Sequence, residues 1–397
     1  GLTGSVLFED VLVPKDGAVP YSVTETDPTP AFDGTKVTCS EGVNGDGGSG
    51  PIDGSTLPLT GSLDLDEGEI VTCTFTNTER STIIIVKDVR TFDGGPLESD
   101  QSFIFTADYS VDPIVLNDDG GVDAVPNSDT SALLNAENGA TYTVTEAAEF
   151  GWTLNTTLSS CTNGDLFDGD GVTITPDPGD TVTCTFVNTA NPAGLTATKT
   201  VEGQTGPWGP FTFTLSGGPV AAGETNSQPV DSVDPVASWT ELVEGTTYTL
   251  AETGPVPGYQ LGTFTCLVAT VGTPAPLADA DPGTDGFQFV AVAGAQYGCA
   301  ITNTALPGSV SLVKTVEGVD GDFDWDAFEF TIAPAAAPSA TQTIDDAGSG
   351  DFGPITWTGL VAGSTYTIAE TPSTGFIAGD LECTVTHADV DLSLIHI

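Results

Sequence analysis

The stretch TYTLAETGPVPGY, Thr247–Tyr259, decides the fold. Alternation along it puts Tyr248, Leu250 and Glu252 on one face of a strand and small polar residues on the other. The pattern returns as TYTVTEAAEFGW from Thr141, as STYTIAETPSTGF from Ser364 and, more weakly, as PYSVTETDPTPAF from Pro20. The four glutamates, Glu25, Glu146, Glu252 and Glu370, are spaced 121, 106 and 118 residues apart. That period is too long for a solenoid unit. It predicts autonomous domains in a row, each able to bury its own core.

The rest of the repeat is anchored on that strand. Three copies open with a β-rich run holding one lysine: IIIVKDV with Lys87, LTATKTVEG with Lys199 and VSLVKTVEG with Lys314. A paired-aromatic strand follows, at Phe103/Phe105, Phe211/Phe213 and Phe328/Phe330. Copies close with CTFTNT, CTFVNT and CAITNT, carrying Asn77, Asn188 and Asn303. Boundaries are expected just after each Asn-Thr, where Pro, Gly or charged residues interrupt the pattern. The predicted domains are 1–79, 80–190, 191–305 and 306–391. The first lacks its lysine strand and the fourth stops after one cysteine, so both read as truncated. Residues 392–397, LSLIHI, fit no part of the repeat and read as a translated sequencing adaptor, set apart from the fold.

Composition agrees with an all-β chain. Gly (48) and Pro (27) punctuate short strands rich in Thr, Val, Ile and Phe, and no stretch has the apolar spacing of a helix. Many short strands with such turns read as sandwiches. No apolar run approaches the length that spans a bilayer, so no membrane insertion is expected. Lys+Arg number 7 against Asp+Glu 56, a net charge of −49. Nothing here neutralises phosphates, which excludes nucleic acid as a partner. Such a surface stays soluble and attracts cations. A saline habitat and an acidic secreted surface both produce this bias.

The seven cysteines sort by copy. The expected disulfides are Cys39–Cys73, Cys161–Cys184 and Cys266–Cys299, with Cys383 left without a partner by truncation. No CxxC or Cys/His clustering points to zinc. One disulfide per copy implies an oxidising, extracellular setting.

Three of five lysines, Lys87, Lys199 and Lys314, hold one repeat position. Alternation sets each on the face of Ile83/Ile85, Leu195/Ala197 or Val310/Leu312. The glutamates share a face with the tyrosines, and Asn188 and Asn303 with Cys184/Phe186 and Cys299/Ile301. Lysine, glutamate and asparagine therefore all point into apolar surroundings, which is costly unless they satisfy one another. This is the arrangement that a spontaneous Lys–Asn isopeptide bond needs. Burial frees the amine as a nucleophile and keeps the carboxyl protonated for proton transfer. A buried Lys–Glu ion pair hydrogen-bonded to the asparagine is the alternative.

In these residues the chain resembles the SpaA-like and collagen-adhesin B-type repeats of bacterial surface proteins and pili. TYTLAETGPVPGY is similar to that family's YT-x-x-ET-x-x-P-x-GY signature, with a lysine late in the first strand and an asparagine in the last. The resemblance implies tandem prealbumin-like, Ig-like Greek-key β-sandwiches arranged as a rod. It implies self-crosslinking trios Lys87, Glu146, Asn188 and Lys199, Glu252, Asn303. Lys314 and Glu370 lack the asparagine, and Glu25 and Asn77 lack the lysine.

Other motifs are weaker. LPLTG at Leu57–Gly61 matches a sortase pattern, but SLDLDEGEI follows it inside a repeat, and it reads as a chance match. Acidic loops holding Asp118, Asp168, Asp170, Asp320, Asp322 and Asp324 offer oxygen ligands that calcium takes, without EF-hand spacing; solvated turn aspartates are the plainer reading. No cofactor is expected otherwise. Carboxylates are everywhere and nowhere specially paired, and no nucleophile motif or phosphate loop accompanies them, so an enzyme is not expected. The sequence thus reads as the stalk of a secreted or cell-wall-attached adhesin-like protein, its partner an extracellular protein or glycan of unknown identity. A module gripping a host ligand through its loops, and a spacer array in a larger secreted enzyme, are the competing readings.

Overall fold

The computed structural model describes residues 4–9, 11, 20–41, 59–65, 69–122, 124–136, 139–253, 257–271, 273–282, 286–318, 327–344, 354–377, 379, 383–387 and 390–395. The described residues form strands and no α-helix. The chain divides into two compact units, Gly1–Asn191 and Pro192–Ile397, and each holds two copies of the repeat.

The third copy shows the architecture most fully. One sheet runs Val236–Leu242, Ala193–Glu202, Gln296–Ala305, Phe264–Ala269, Ala275–Pro276, with Tyr259–Gln260 also on Gln296–Ala305. The facing sheet runs Ser227–Val230, Phe211–Ser216, Thr247–Glu252, Phe287–Val290. Each strand alternates, and the inward residues of both sheets, among them Leu195, Ala197, Phe213, Leu250, Trp239 and Ile301, join in one buried cluster. This is a two-sheet sandwich whose core is the space between the alternating faces.

The second copy repeats the plan. Its lysine strand Thr82–Arg90 and closing strand Thr181–Ala190 lie side by side in one sheet, while Ser99–Ala107 and Tyr142–Glu146 pair in the other. In both copies the first and last strands are parallel neighbours over nine consecutive residue pairs. Parallel pairing cannot be made by a hairpin, so the whole domain is the crossover between the two strands. Lys87 stands opposite Phe186 and Lys199 opposite Ile301, each two residues before the asparagine of the closing strand.

The flanking copies carry parts of the plan. In the fourth, Gly308–Leu312 pairs with Ile355–Leu360, and Phe328–Ala333 lies between Thr341–Ile344 and Thr367–Glu370. In the first, Phe32–Glu41 pairs with Val71–Glu79 and Pro20–Thr24 with Thr60–Asp64. The last residues are not left outside the sheet structure: Val390–Ile395 pairs antiparallel with Cys383–His387. Four of the six residues set apart in the sequence therefore lie in a strand, three of them with partners in the ladder, which alternating Val-Asp-Leu-Ser-Leu permits whatever its origin.

Candidate functional site

Register builds the site. On the glutamate strand, Glu146, Glu252 and Glu370 stand opposite Phe105, Phe213 and Phe330 of the aromatic strand. Glu146 and Glu252 thereby reach across the core from one sheet toward the lysine and asparagine of the other, and Glu370 toward its lysine. Alternation delivers all three side chains inward, because Lys87, Lys199, Asn188 and Asn303 fall on the same parity as their strands' apolar residues. All four are at most 3% exposed.

In the third copy the trio is closed. Lys199 Nζ lies 3.3 Å from Glu252 Oε1, and Asn303 Nδ2 donates to both Glu252 oxygens at 3.1 Å. The N–H of Gly262 donates to Asn303 Oδ1 at 3.1 Å. Burial pulls the Lys199 amine down, opposed by the charge of Glu252.

The second copy is arranged differently. Asn188 Nδ2 donates to Glu146 Oε1 at 2.5 Å, but Lys87 Nζ donates to the carbonyls of Asp88 and Phe186, both at 3.0 Å. Glu146 Oε2 and Asn188 Oδ1 are buried with no hydrogen-bond partner. Burial brings Lys87 down to about 8, against the charges of Glu146, Asp88 and Asp118. Burial likewise raises Glu146, against Lys87 and the Asn188 hydrogen bond. Both shifts favour the uncharged forms, which is the direction amine attack on an amide requires.

Incomplete trios keep the pair they have. Lys314 Nζ binds Glu370 at 2.7 and 3.0 Å, and Asn77 Nδ2 donates to Glu25 Oε1 at 2.7 Å. The glutamate is thus the common partner in all four copies.

Sequence reasoning missed the floor of the site. Phe103, Phe211 and Phe328 lie beneath the lysine amines, 4.4, 4.6 and 4.6 Å from ring centroid to Nζ. Each packs edge-on against the aromatic that ends the glutamate motif: Trp152, Tyr259 or Phe376. A ring face attracts a cation while excluding water, so it holds the amine in place without supplying a hydrogen-bond acceptor. The paired-aromatic pattern was visible; its cross-sheet partner was not.

The cysteine pairs Cys39–Cys73, Cys161–Cys184 and Cys266–Cys299 are disulfides, and Cys383 is free. Each bonded pair stands directly opposite across an antiparallel ladder. In each, the second cysteine lies four residues before the asparagine, so one strand carries both fastenings. Loops of 34, 23 and 33 residues correspond to about 3–4 kcal/mol each in the chain-entropy model.

Among the described residues no group of three or more His, Cys, Asp or Glu is placed to hold an ion. Asp118 Oδ2 accepts the Val89 N–H at 2.9 Å. Asp168 and Asp170 sit at the hairpin joining Phe167–Asp168 to Gly171–Ile174. Asp320, Asp322 and Asp324 lie outside the described residues. In LPLTG, Leu59 is buried with Val37 and Cys39, and Thr60–Asp64 is a laddered strand.

A family model, a prealbumin-like fold domain of the SpaA type, matches residues 89–190 and 195–305, more than half of the chain. The chain belongs to the SpaA-like family. Both matched SpaA-like segments contain a glutamate and an asparagine of a complete trio. Among solved structures, the chain is similar to the Bacillus anthracis TIE protein, with 16% identity and a TM-score of 0.41; the match covers 85% of this chain and 53% of that one. It is similar to the major pilin of Streptococcus pyogenes at 16% identity and a TM-score of 0.23, over 56% of this chain and 98% of that one. The C-terminal fragment of pilus adhesin SpaC from Lactobacillus rhamnosus GG matches at 17% identity and a TM-score of 0.28, over 56% and 97% of the two chains. A search of curated proteins gave no match. Among the described residues no helix is long and apolar enough to cross a membrane.

Proposed function

We propose that this chain is stalk material of an extracellular bacterial surface protein, and that two of its domains weld themselves with Lys–Asn isopeptide bonds. The observation that carries the reading is the parallel pairing of first and last strands with a buried lysine on one and a buried asparagine on the other, joined in the third copy through the Glu252 carboxylate. Lys87 would bond Asn188 and Lys199 would bond Asn303, with Glu146 and Glu252 moving the protons. Strand register supplies the proximity that an enzyme otherwise would.

A stalk is pulled from its ends. In this topology tension on a domain enters through its first and last strands, which are neighbours. A covalent link between them carries the force past the sandwich, so the sheets are not sheared apart. The disulfide on the same closing strand fastens its other edge. The trio acts once, on its own domain, without turnover, so the chemistry serves architecture rather than catalysis of an outside substrate. The acidic surface keeps such a stalk soluble in the oxidising exterior that the disulfides need.

Proteolysis of the reduced, denatured full chain tests this reading. Branched peptides joining Lys87 to Asn188 and Lys199 to Asn303 are expected. Linear peptides alone, with both lysines free, would leave buried ion pairs and disulfides as the only fastenings.

A further inference from the structure

Gly262 sits where the chain leaves the short strand Tyr259–Gln260, packed against Thr302 of the closing strand. A Cβ at this position would overlap the Thr302 carbonyl oxygen, so only glycine permits the approach. The approach aims the Gly262 N–H at Asn303 Oδ1, 3.1 Å away. The Asn303 carboxamide is therefore gripped at both ends, its nitrogen by Glu252 and its oxygen by a main-chain donor.

The second copy supplies the contrast within the same chain. Asn191 donates to Gly151 as Leu306 does to Gly258, which aligns Trp152 with Tyr259 and Asn155 with Gly262. The Asn155 N–H goes to the main-chain carbonyl of Val187 at 2.8 Å, and Asn188 Oδ1 is buried without a hydrogen-bond partner. Of these two copies, the glycine-bearing one directs this N–H at the asparagine side chain.

We propose that the Gly262 N–H is an oxyanion donor for amide formation in the third copy. The proposal rests on the crosslinking reading above and adds a group to it. Lys199 first passes a proton to Glu252 across their ion pair; the neutral amine then attacks Asn303 Cγ, the N–C bond forms, and the carbonyl pair moves onto Oδ1, where the Gly262 N–H stabilises the charge. Glu252 gives its proton to Nδ2. The pair on Oδ1 returns, the Cγ–Nδ2 bond breaks and ammonia leaves. Nζ then passes its extra proton to Glu252, which is left as the neutral acid. A fixed main-chain donor suits this work because it is already oriented when the charge appears.

The test replaces one atom group. The full chain is made by cell-free translation with glycolic acid in place of Gly262, turning that main-chain amide into an ester without the N–H. Formation of the peptide linking Lys199 to Asn303 is followed against time, with the Lys87–Asn188 link in the same molecules as the internal reference. The third-copy link is expected to slow on the order of 100-fold while the reference is unchanged. An unaltered rate overturns the donor and leaves the crosslinking reading standing. Neither link forming in the unaltered chain overturns both. Gly262→Ala, which pushes the strand off Thr302, is the second arm. A natural rate there, with the Cys266–Cys299 disulfide formed, also overturns the proposal.

Discussion

At the scale of single residues the chemistry turns on one proton held between an amine and a carboxyl. Burial brings Lys87 down to about 8 and raises Glu146. The reactive form, neutral amine beside protonated carboxyl, contains one proton between the two groups, and so does the charged form, ammonium and carboxylate, from which it arises. The crosslinking rate is therefore expected to hold level between the two titrations. It falls above about 8, where the pair loses its last proton, and below the raised Glu146 value, where it gains a second. Time courses of ammonia release from freshly made chain across this range check it; a rate still climbing above 8 would mean that free amine alone is limiting. Burial also ranks the ion pairs. Lys199 and Glu252 side chains are 0% and 3% exposed, Lys314 and Glu370 17% and 25%. In a chain kept open by Asn303→Ala, Glu252→Ala is expected to cost about 3 kcal/mol or more, since it strands a buried amine. Glu370→Ala is expected to cost less than about 1 kcal/mol. Urea unfolding of the two variants measures the difference.

At the scale of elements, the strand beside the lysine strand holds an observation that the chain makes twice. Val236–Leu242 and Ile355–Leu360 carry Trp239 and Trp357, both fully buried, with indole N–H groups donating to the Thr225 and Ser339 carbonyls at 2.9 and 2.8 Å. Two residues on, both strands turn through the left-handed region: Glu241 at φ 56° and Gly359 at φ 72°. The fourth copy meets that backbone with glycine, whereas the third strains a glutamate into it. Glu241→Gly is expected to stabilise the chain by about 1 kcal/mol, read as a rise in the urea midpoint of the third copy; a loss of stability would show that the Glu241 side chain makes a compensating contact.

The repeated segments SWTEL and TWTGL carried this signal in the sequence, and an alignment on Trp239 and Trp357 would have found it. Other features had no local signature. Alternation assigns Lys87, Glu146 and Asn188 to inward faces because parity is a property of each strand alone. That the first and last strands are parallel neighbours is a long-range choice. So is the placing of Phe103 beneath an amine 16 residues upstream, and the turning of Tyr248 and Tyr366 hydroxyls back onto the Val243 and Val361 N–H groups at 3.2 and 2.9 Å. The Gly262 contact depends on both the ladder and the asparagine rotamer. Cysteine pairing was legible because each of the first three copies holds one pair, leaving little to choose between.

At the scale of the whole molecule the governing term is a net charge of −49. Like charges at this density oppose compaction, and salt screens them over about 10 Å at moderate ionic strength. The unfolding temperature is expected to rise with sodium chloride, by scanning calorimetry, before any specific ion effect; a flat or falling trend would mean that the surface carboxylates are compensated locally. Against that repulsion stand sandwich cores, three disulfides and, in the reading developed above, two amide links between end strands. The central claim is tested most directly by the intact mass of the reduced, denatured full chain. The account predicts a deficit of two ammonia molecules against the sequence mass, halved by either Glu146→Ala or Glu252→Ala and abolished by both. A mass equal to that of the sequence would contradict it.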